Sequence, residues 1–143
     1  MAEETIRIVS RRFGTYEVPA RQIVRLPEGL IGLPEARRVA LLEPKTPGAP
    51  FRYMLCVDEP ELAFLVCDPD DFFPGYSEHV PRPTGAGPGD VVVLAIVTIP
   101  ESPREMTANL LAPLVVDCRS REGRQLILDA ARFTTRHRLI AEG

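Results

Sequence analysis

Three cysteines, two histidines, several clustered carboxylates and two glycine-bearing turns are the residues of this 143-residue chain whose types suit them to chemistry. Cys56, Cys67 and Cys118 stand singly in apolar, strand-like runs, whereas zinc sites use closely spaced pairs of Cys or His and a nucleophilic thiolate needs polar surroundings. All three therefore read as reduced core thiols. His79 and His137 are too far apart for an ordinary zinc motif and have no G-x-S-x-G nucleophile elbow for company. Gly29 to Gly32 (GLIG) and Gly85 to Gly89 (GAGPG) lack the Lys-Ser/Thr or the G-x-G-x-x-G spacing of a phosphate loop, and proline removes an amide donor from the second. Asp68 to Asp71 (DPDD) has the composition of half a calcium loop without its 12-residue ligand pattern or its closing Glu. No pair of carboxylates is singled out for acid–base work. The expectation is a protein that is not an enzyme and needs no cofactor and no metal.

The elements that must position these residues are short. Fifteen Pro and ten Gly interrupt the chain too often for long helices. Between the breaks, Thr5 to Val9, Thr15 to Val18, Val39 to Leu42, Arg52 to Val57, Ala63 to Cys67, Val91 to Ile99, Leu114 to Asp117 and Gln125 to Leu128 predict strands. The run Val91 to Ile99 is apolar on both alternate faces: Val91, Val93, Ala95, Val97 and Ile99 on one, Val92, Leu94 and Ile96 on the other. Few residues remain to make the helices that would cover such a strand in an α/β fold. The prediction is thus an all-β protein, a small antiparallel, closed or nearly closed β-barrel with loops over its outside, forming one domain over residues 1–143. Helix is expected only as short turns: Pro34 to Arg38, Asp68 to Phe73 with Asp68 as N-cap, and Pro103 to Met106 capped by Ser102. Pro81 to Gly89 (PRPTGAGPG) is expected to be an internal loop.

The net charge of −3 is unevenly spread. Residues 1–40 carry seven Arg against five Glu, 41–105 four basic against eleven acidic residues, and 106–143 six basic against four acidic. An acidic middle suits a basic partner. The C-terminal segment Arg132 to Arg138 (RFTTRHR) is basic, and it is expected to dock Phe133 and Leu139 on the body while its arginines stay in solvent or meet the acidic block. With no apolar run near the roughly 20 residues of a membrane span and no signal peptide at the start, the chain is expected to be cytoplasmic, with no membrane partner.

Two long strings carry a resemblance. Phe51 to Pro74 (FRYMLCVDEPELAFLVCDPDDFFP) and Val91 to Pro113 (VVVLAIVTIPESPREMTANLLAP) closely resemble the bacterial flagellar assembly factor FliW family. Phe13 to Val18, Leu26 to Gly32 with the Gly-Leu-x-Gly turn, Val115 to Gln125 and Thr135 to His137 extend the likeness over nearly the whole chain. Leu33 stands where relatives usually have an aromatic residue, a core swap that a barrel tolerates. The resemblance implies a compact β fold and a partner switch without catalysis. Such proteins bind the RNA-binding translational regulator CsrA and stop it from repressing flagellin translation, and they bind flagellin, which displaces CsrA. The implied partners are CsrA and flagellin, with no direct nucleic-acid contact and a monomer when free. A small β-barrel RNA-binding protein is the alternative, disfavoured by scattered basic residues and the acidic middle.

Candidate partner-binding residues follow from these features. Asp58, Glu59 and Glu61 lie in the turn between two strands, and Asp70 and Asp71 in the turn after the second; the two turns should sit at opposite strand ends, roughly 17–20 Å apart. Phe72 and Phe73 are adjacent, so either one is an exposed anchor or both pack beneath a single turn of helix. Asn109, depleted in strands as a type, either ties down neighbouring backbone or joins Met106 in presenting polar and adaptable apolar contacts to a partner.

Overall fold

The computed structural model of the chain describes residues 4–11, 14–42, 48–98 and 105–139. Its strands are β1 (Thr5–Ser10), β2 (Gly14–Pro19), β3 (Ile23–Arg25), β4 (Arg38–Leu41), β5 (Phe51–Cys56), β6 (Ala63–Cys67), β7 (Val91–Thr98), β8 (Thr107–Ala108), β9 (Leu114–Asp117), β10 (Glu122–Gln125) and β11 (His137–Arg138). Seven of them close into a ring in the order β7-β6-β5-β4-β3-β10-β9 and back to β7. Closure depends on β7, the longest strand. Its C-terminal half pairs with β6 (Leu65 with Val97, Cys67 with Ala95) and its N-terminal half with β9 (Val91 with Asp117, Leu94 with Leu114). The end that β9 leaves unpaired takes β8, to which β11 is added. Every neighbouring pair is antiparallel except β3–β10, which run parallel, with the Arg25 amide donating to the Arg121 carbonyl at 2.9 Å. The expected all-β, closed barrel forms, and it is antiparallel as expected except at the β3–β10 pair.

Side-chain alternation sorts the strands into an inside and two outer layers. Val24, Leu26, Val39, Met54, Cys56, Val66, Leu94, Leu114 and Val116 fill the barrel. Outside, the β1–β2 hairpin lays Ile8 and Val18 over Ile23, Ala40 and Leu55. On the other flank, Tyr76, Val80, Leu110, Phe133 and Leu139 cover Cys67, Ala95, Val97 and Val115. This second layer explains why β7 is apolar on both faces: Leu94 and Ile96 point into the barrel, and Val91, Val93, Ala95 and Val97 point under the turns and C-terminal segment. Phe133 and Leu139 of that segment dock on the body as expected, leaving Arg132, Arg136 and Arg138 exposed.

One end of the barrel is plugged by the Gly29 to Gly32 turn. Leu30 and Leu33 exchange both backbone hydrogen bonds, at 3.0 and 2.8 Å, which sets buried Leu30 and half-buried Leu33 against the barrel core. Gly29 has φ +69°, and a Cβ there would lie 2.5 Å from the Pro34 carbonyl oxygen. Only glycine fits the position.

Several expectations need correction. Pro34 to Arg38 is not helical: Ala36 is drawn into the barrel core, the Leu26 amide donates to the Arg37 carbonyl, and β4 begins at Arg38. The strand expected at Gln125 to Leu128 lies earlier, at Glu122–Gln125, where Gly123 packs closely under Val24 and Leu26: a Cβ there would lie 3.0 Å from the Leu26 side chain and 3.2 Å from that of Val24. Strands β3, β8 and β11, of two or three residues, were not expected, nor were the 3-10 turns Ala20–Gln22 and Tyr76–His79. Loop 81–89 is a loop, tied down by Arg82 donating to the Gly87 carbonyl (2.7 Å) and Arg119 donating to the Thr84 carbonyl (3.2 Å). Phe13, Ile99 and residues 101–104, where the Ser102-capped turn would start, lie outside the described residues.

Cys118 is the last correction. It follows Asp117 at the end of β9 and is exposed, whereas Cys56 and Cys67 are buried. Burial pushes the Cys56 thiol up to about 11 and the Cys67 thiol up to about 12. Titration of the folded protein with a chromogenic disulfide reagent at pH 8 is therefore expected to consume one thiol quickly, Cys118, and the other two only on denaturation; a Cys118→Ser variant should show no fast phase.

Candidate functional site

The two acidic turns occupy opposite ends of β6, as an antiparallel β5–β6 pair requires. In the first, β5 hands the chain to residues 57–62, closed by the Leu62 amide donating to the Glu59 carbonyl at 2.9 Å. Asp58 accepts from Arg38 of the neighbouring β4, Nη2 to Oδ1 at 2.7 Å and Nε to Oδ2 at 3.4 Å. The hydrogen bond to Arg38 holds the Asp58 carboxyl below the usual carboxylate range. Glu61 turns the other way and accepts from the Ser10 hydroxyl at 3.1 Å and the Arg11 amide at 2.7 Å, fastening the β1–β2 hairpin to the barrel. Glu59 is exposed between them.

The second turn is built by its own acids. Pro69–Asp71 forms a single 3-10 turn in which the Asp68 carboxylate accepts from the Asp70 amide at 3.0 Å, an N-cap at the position expected. Burial pushes the Asp68 carboxyl up. Asp70 is half-buried and accepts from the Ser77 amide at 2.8 Å and from the Ser77 hydroxyl, clamping this turn to the next one, Tyr76–His79. Asp71 points to solvent.

The clamp presents Phe72 and Phe73 in different directions. Phe72 stacks on Phe51 of β5 with ring centres 5.6 Å apart, and Phe73 meets the edge of His137 at 4.7 Å. Both are half-buried against the second outer layer. Since β11 pairs with β8, with His137 opposite Ala108, Phe73 is brought beside the Met106 to Asn109 segment. Met106 is half-buried, and its carbonyl accepts from the Leu139 amide at 3.1 Å. Asn109 continues the ladder, its amide donating to the Ile96 carbonyl at 2.8 Å, while its side-chain Oδ1 accepts from the Ala112 amide at 3.0 Å to shape the bend into β9. Asp70, Asp71, Phe72, Phe73, Met106 and Asn109 thus belong to one flank, and Asp58, Glu59 and Glu61 to the far end of β6.

This flank also holds a cleft of about 300 Å³, lined by Phe73, Tyr76, Glu78, His79, Leu110, Arg132, Phe133 and His137, that the sequence did not disclose. Its residues come from three separate stretches, 73–79, Leu110 and 132–137, so no local pattern joins them. The nearest signal was the aromatic Phe133 inside a basic run.

The acidic residues therefore differ in what they hold. Asp70→Ala would leave the Ser77 amide and hydroxyl without their acceptor and is expected to lower stability by about 1–3 kcal/mol in denaturant melts at pH 7. Asp58→Asn is expected to cost less than about 1 kcal/mol, because the Arg38 pair is roughly half exposed. The sign follows from the lowered Asp58 pKa: the pair's contribution is present above the ordinary Asp value near ~4 and is lost as acid protonates Asp58, so the variant should differ from the parent at pH 7 and converge with it near pH 2.

Comparison with known proteins supplies the lineage. Residues 7–139 match the family model described as FliW protein. The chain is 36% identical over 139 residues to the flagellar assembly factor FliW of Heliobacterium modesticaldum, covering 94% of this chain and 90% of that protein. It is 37% identical over 143 residues to that of Desulfitobacterium hafniense, covering 96% and 93%. A crystal structure of the flagellar assembly factor FliW superposes with a TM-score of 0.82 at 30% identity, over 96% of this chain and 99% of the other. With a family match across the barrel and both outer layers, and this fold, the chain belongs to the FliW family of flagellar assembly factors.

Proposed function

We propose that this protein acts without catalysis as a partner switch in flagellar assembly. It binds CsrA, the RNA-binding regulator that represses flagellin translation, and releases it when flagellin binds, so that free flagellin represses its own synthesis by returning CsrA to the message. The observation that carries this reading is family membership over residues 7–139, with relatives named as flagellar assembly factors. The charge distribution agrees: an acidic middle segment favours encounter with a basic RNA-binding protein. Glu59 and Asp71, exposed and at opposite ends of β6, are the carboxylates best placed to steer that encounter, because Asp58, Glu61 and Asp70 are engaged within the fold.

Mixing the purified chain with CsrA, then adding flagellin, on a sizing column tests the reading. A CsrA complex that flagellin dissolves is expected; no complex with either protein would overturn it. Surface plasmon resonance adds the mechanism. Association with CsrA should slow as salt rises while dissociation changes little, and Glu59→Gln with Asp71→Asn should reproduce that slowing with an unchanged melting temperature. Asp70→Asn, by contrast, should lower the melting temperature as well.

A further inference from the structure

We propose that the C-terminal segment from Phe133 to Leu139 is a displaceable occupant of a groove on the outer side of β7 and β8, and that a partner's segment of the same pattern takes its place. That pattern is an aromatic side chain followed six positions later by an aliphatic one at the end of a short strand. The resident segment shows what the groove accepts. Phe133 meets Tyr76 edge to face at 5.2 Å, and Leu139 is buried in the cluster that holds Val97, Ala108 and Leu110. Between these anchors His137 and Arg138 add a strand to β8, opposite Ala108 and Thr107. Thr134, Thr135 and Arg136 are exposed, so recognition rests on the two anchors and the strand pairing.

Three features make the segment separable from the barrel. It lies outside the ring: β11 pairs with β8 alone, and β8 pairs with the end of β7 that β9 leaves unpaired. The seven-stranded ring can therefore stay closed when the segment leaves. Its attachments are also few. Beyond the two-residue ladder, the Leu110 and Leu111 amides donate to the single Thr134 carbonyl at 3.0 and 3.1 Å, and the Leu139 amide donates to the Met106 carbonyl at 3.1 Å. The turn that leads into it is closed on itself, the Asp129 carbonyl accepting from the Arg132 and Phe133 amides at 3.0 Å and its carboxylate from the Ala131 amide at 2.9 Å. Finally, the resident fills its seat incompletely. The cleft of about 300 Å³ between Phe73, Tyr76, Leu110, Phe133 and His137 stays open beside it, whereas packed interiors leave few voids larger than a water molecule. A competing segment that puts more apolar side chain into that cleft gains contacts the resident lacks. Until one arrives, the resident covers Tyr76, Ala108 and Leu110, which are at most 4% exposed beneath it. The proposal does not rest on the partner-switch reading, since it concerns the chain's own segment and is tested without CsrA or flagellin.

Hydrogen exchange of the full-length chain tests whether the segment lifts. The Leu110, Leu111 and Leu139 amides are expected to exchange roughly tenfold or more faster than those of β5 and β6, by openings that leave the ring intact. Thr107 and Arg138 face each other in the β8–β11 ladder, so a disulfide between Thr107→Cys and Arg138→Cys, in a Cys118→Ser background, should slow those three amides alone. The occupant is tested with a full-length chain that carries a protease site after Ala130 and is cut once purified, so that every residue is retained. A fluorescent peptide with the sequence of residues 132–139 should displace the cut segment, roughly tenfold or more weakly when alanine replaces its phenylalanine or its leucine, and not at all when the disulfide holds the segment down. Exchange of the three amides at the rate of β5 and β6, unfolding of the barrel on cutting, no uptake of the peptide, or equal uptake of the alanine peptides would overturn the proposal. The CsrA column experiment fails or succeeds separately.

Discussion

The rest of the molecule depends on the double pairing of β7. One strand is hydrogen-bonded to β6 along one half and to β9 along the other, and this turns an open meander into a ring without free edges over most of its circumference. Once the ring closes, each strand has an inner and an outer face. The inner face is filled by a single apolar cluster, so the outer face of β7 needs a cover of its own, and the turns after β6 together with the C-terminal segment supply it. The hairpin β1–β2 does the same for β3 to β5. A two-stranded hairpin is marginal alone, which gives weight to the Glu61 bonds that fasten it to the barrel.

Function follows from this layering. Loops on a rigid scaffold are where binding residues are expected, and here the scaffold divides the acidic residues by role. Asp58, Glu61 and Asp70 join neighbouring elements, while Glu59 and Asp71 are left to solvent. The same turn that consumes Asp70 orients Phe72 and Phe73 and completes an aromatic cleft with the C-terminal segment. Carboxylates engaged within the fold and carboxylates left to solvent thus sit next to one another in the chain, and only tertiary contacts tell them apart.

Much of the fold was legible because its strands are apolar runs bounded by Pro and Gly, and the two-sided apolarity of Val91 to Val97 was the clearest sign of a covered barrel. What stayed hidden has physical reasons. Strands β3, β8 and β11 are too short for a period of two to show, and β10 places Gly123 at its inward position, which erases alternation. Pro34 to Arg38 looked like a helix start, but burial of Ala36 in the barrel overrides that local preference. Cys118 followed an apolar run whose apolar part ends at Val116, two residues earlier. At the candidate site, the Asp68 cap is local and was visible, whereas the Asp70–Ser77 clamp and the Phe73–His137 contact depend on tertiary structure.

The central claim is that partners engage surfaces on an unchanging barrel. Hydrogen exchange measured by mass spectrometry, on the chain alone and with saturating CsrA, tests it most directly. Amides of β5, β6, β7 and β9 should exchange at the same slow rate in both states, with new protection confined to residues 57–62 and 68–73. Altered exchange throughout the barrel strands on binding, or new protection only away from both turns, would contradict the account.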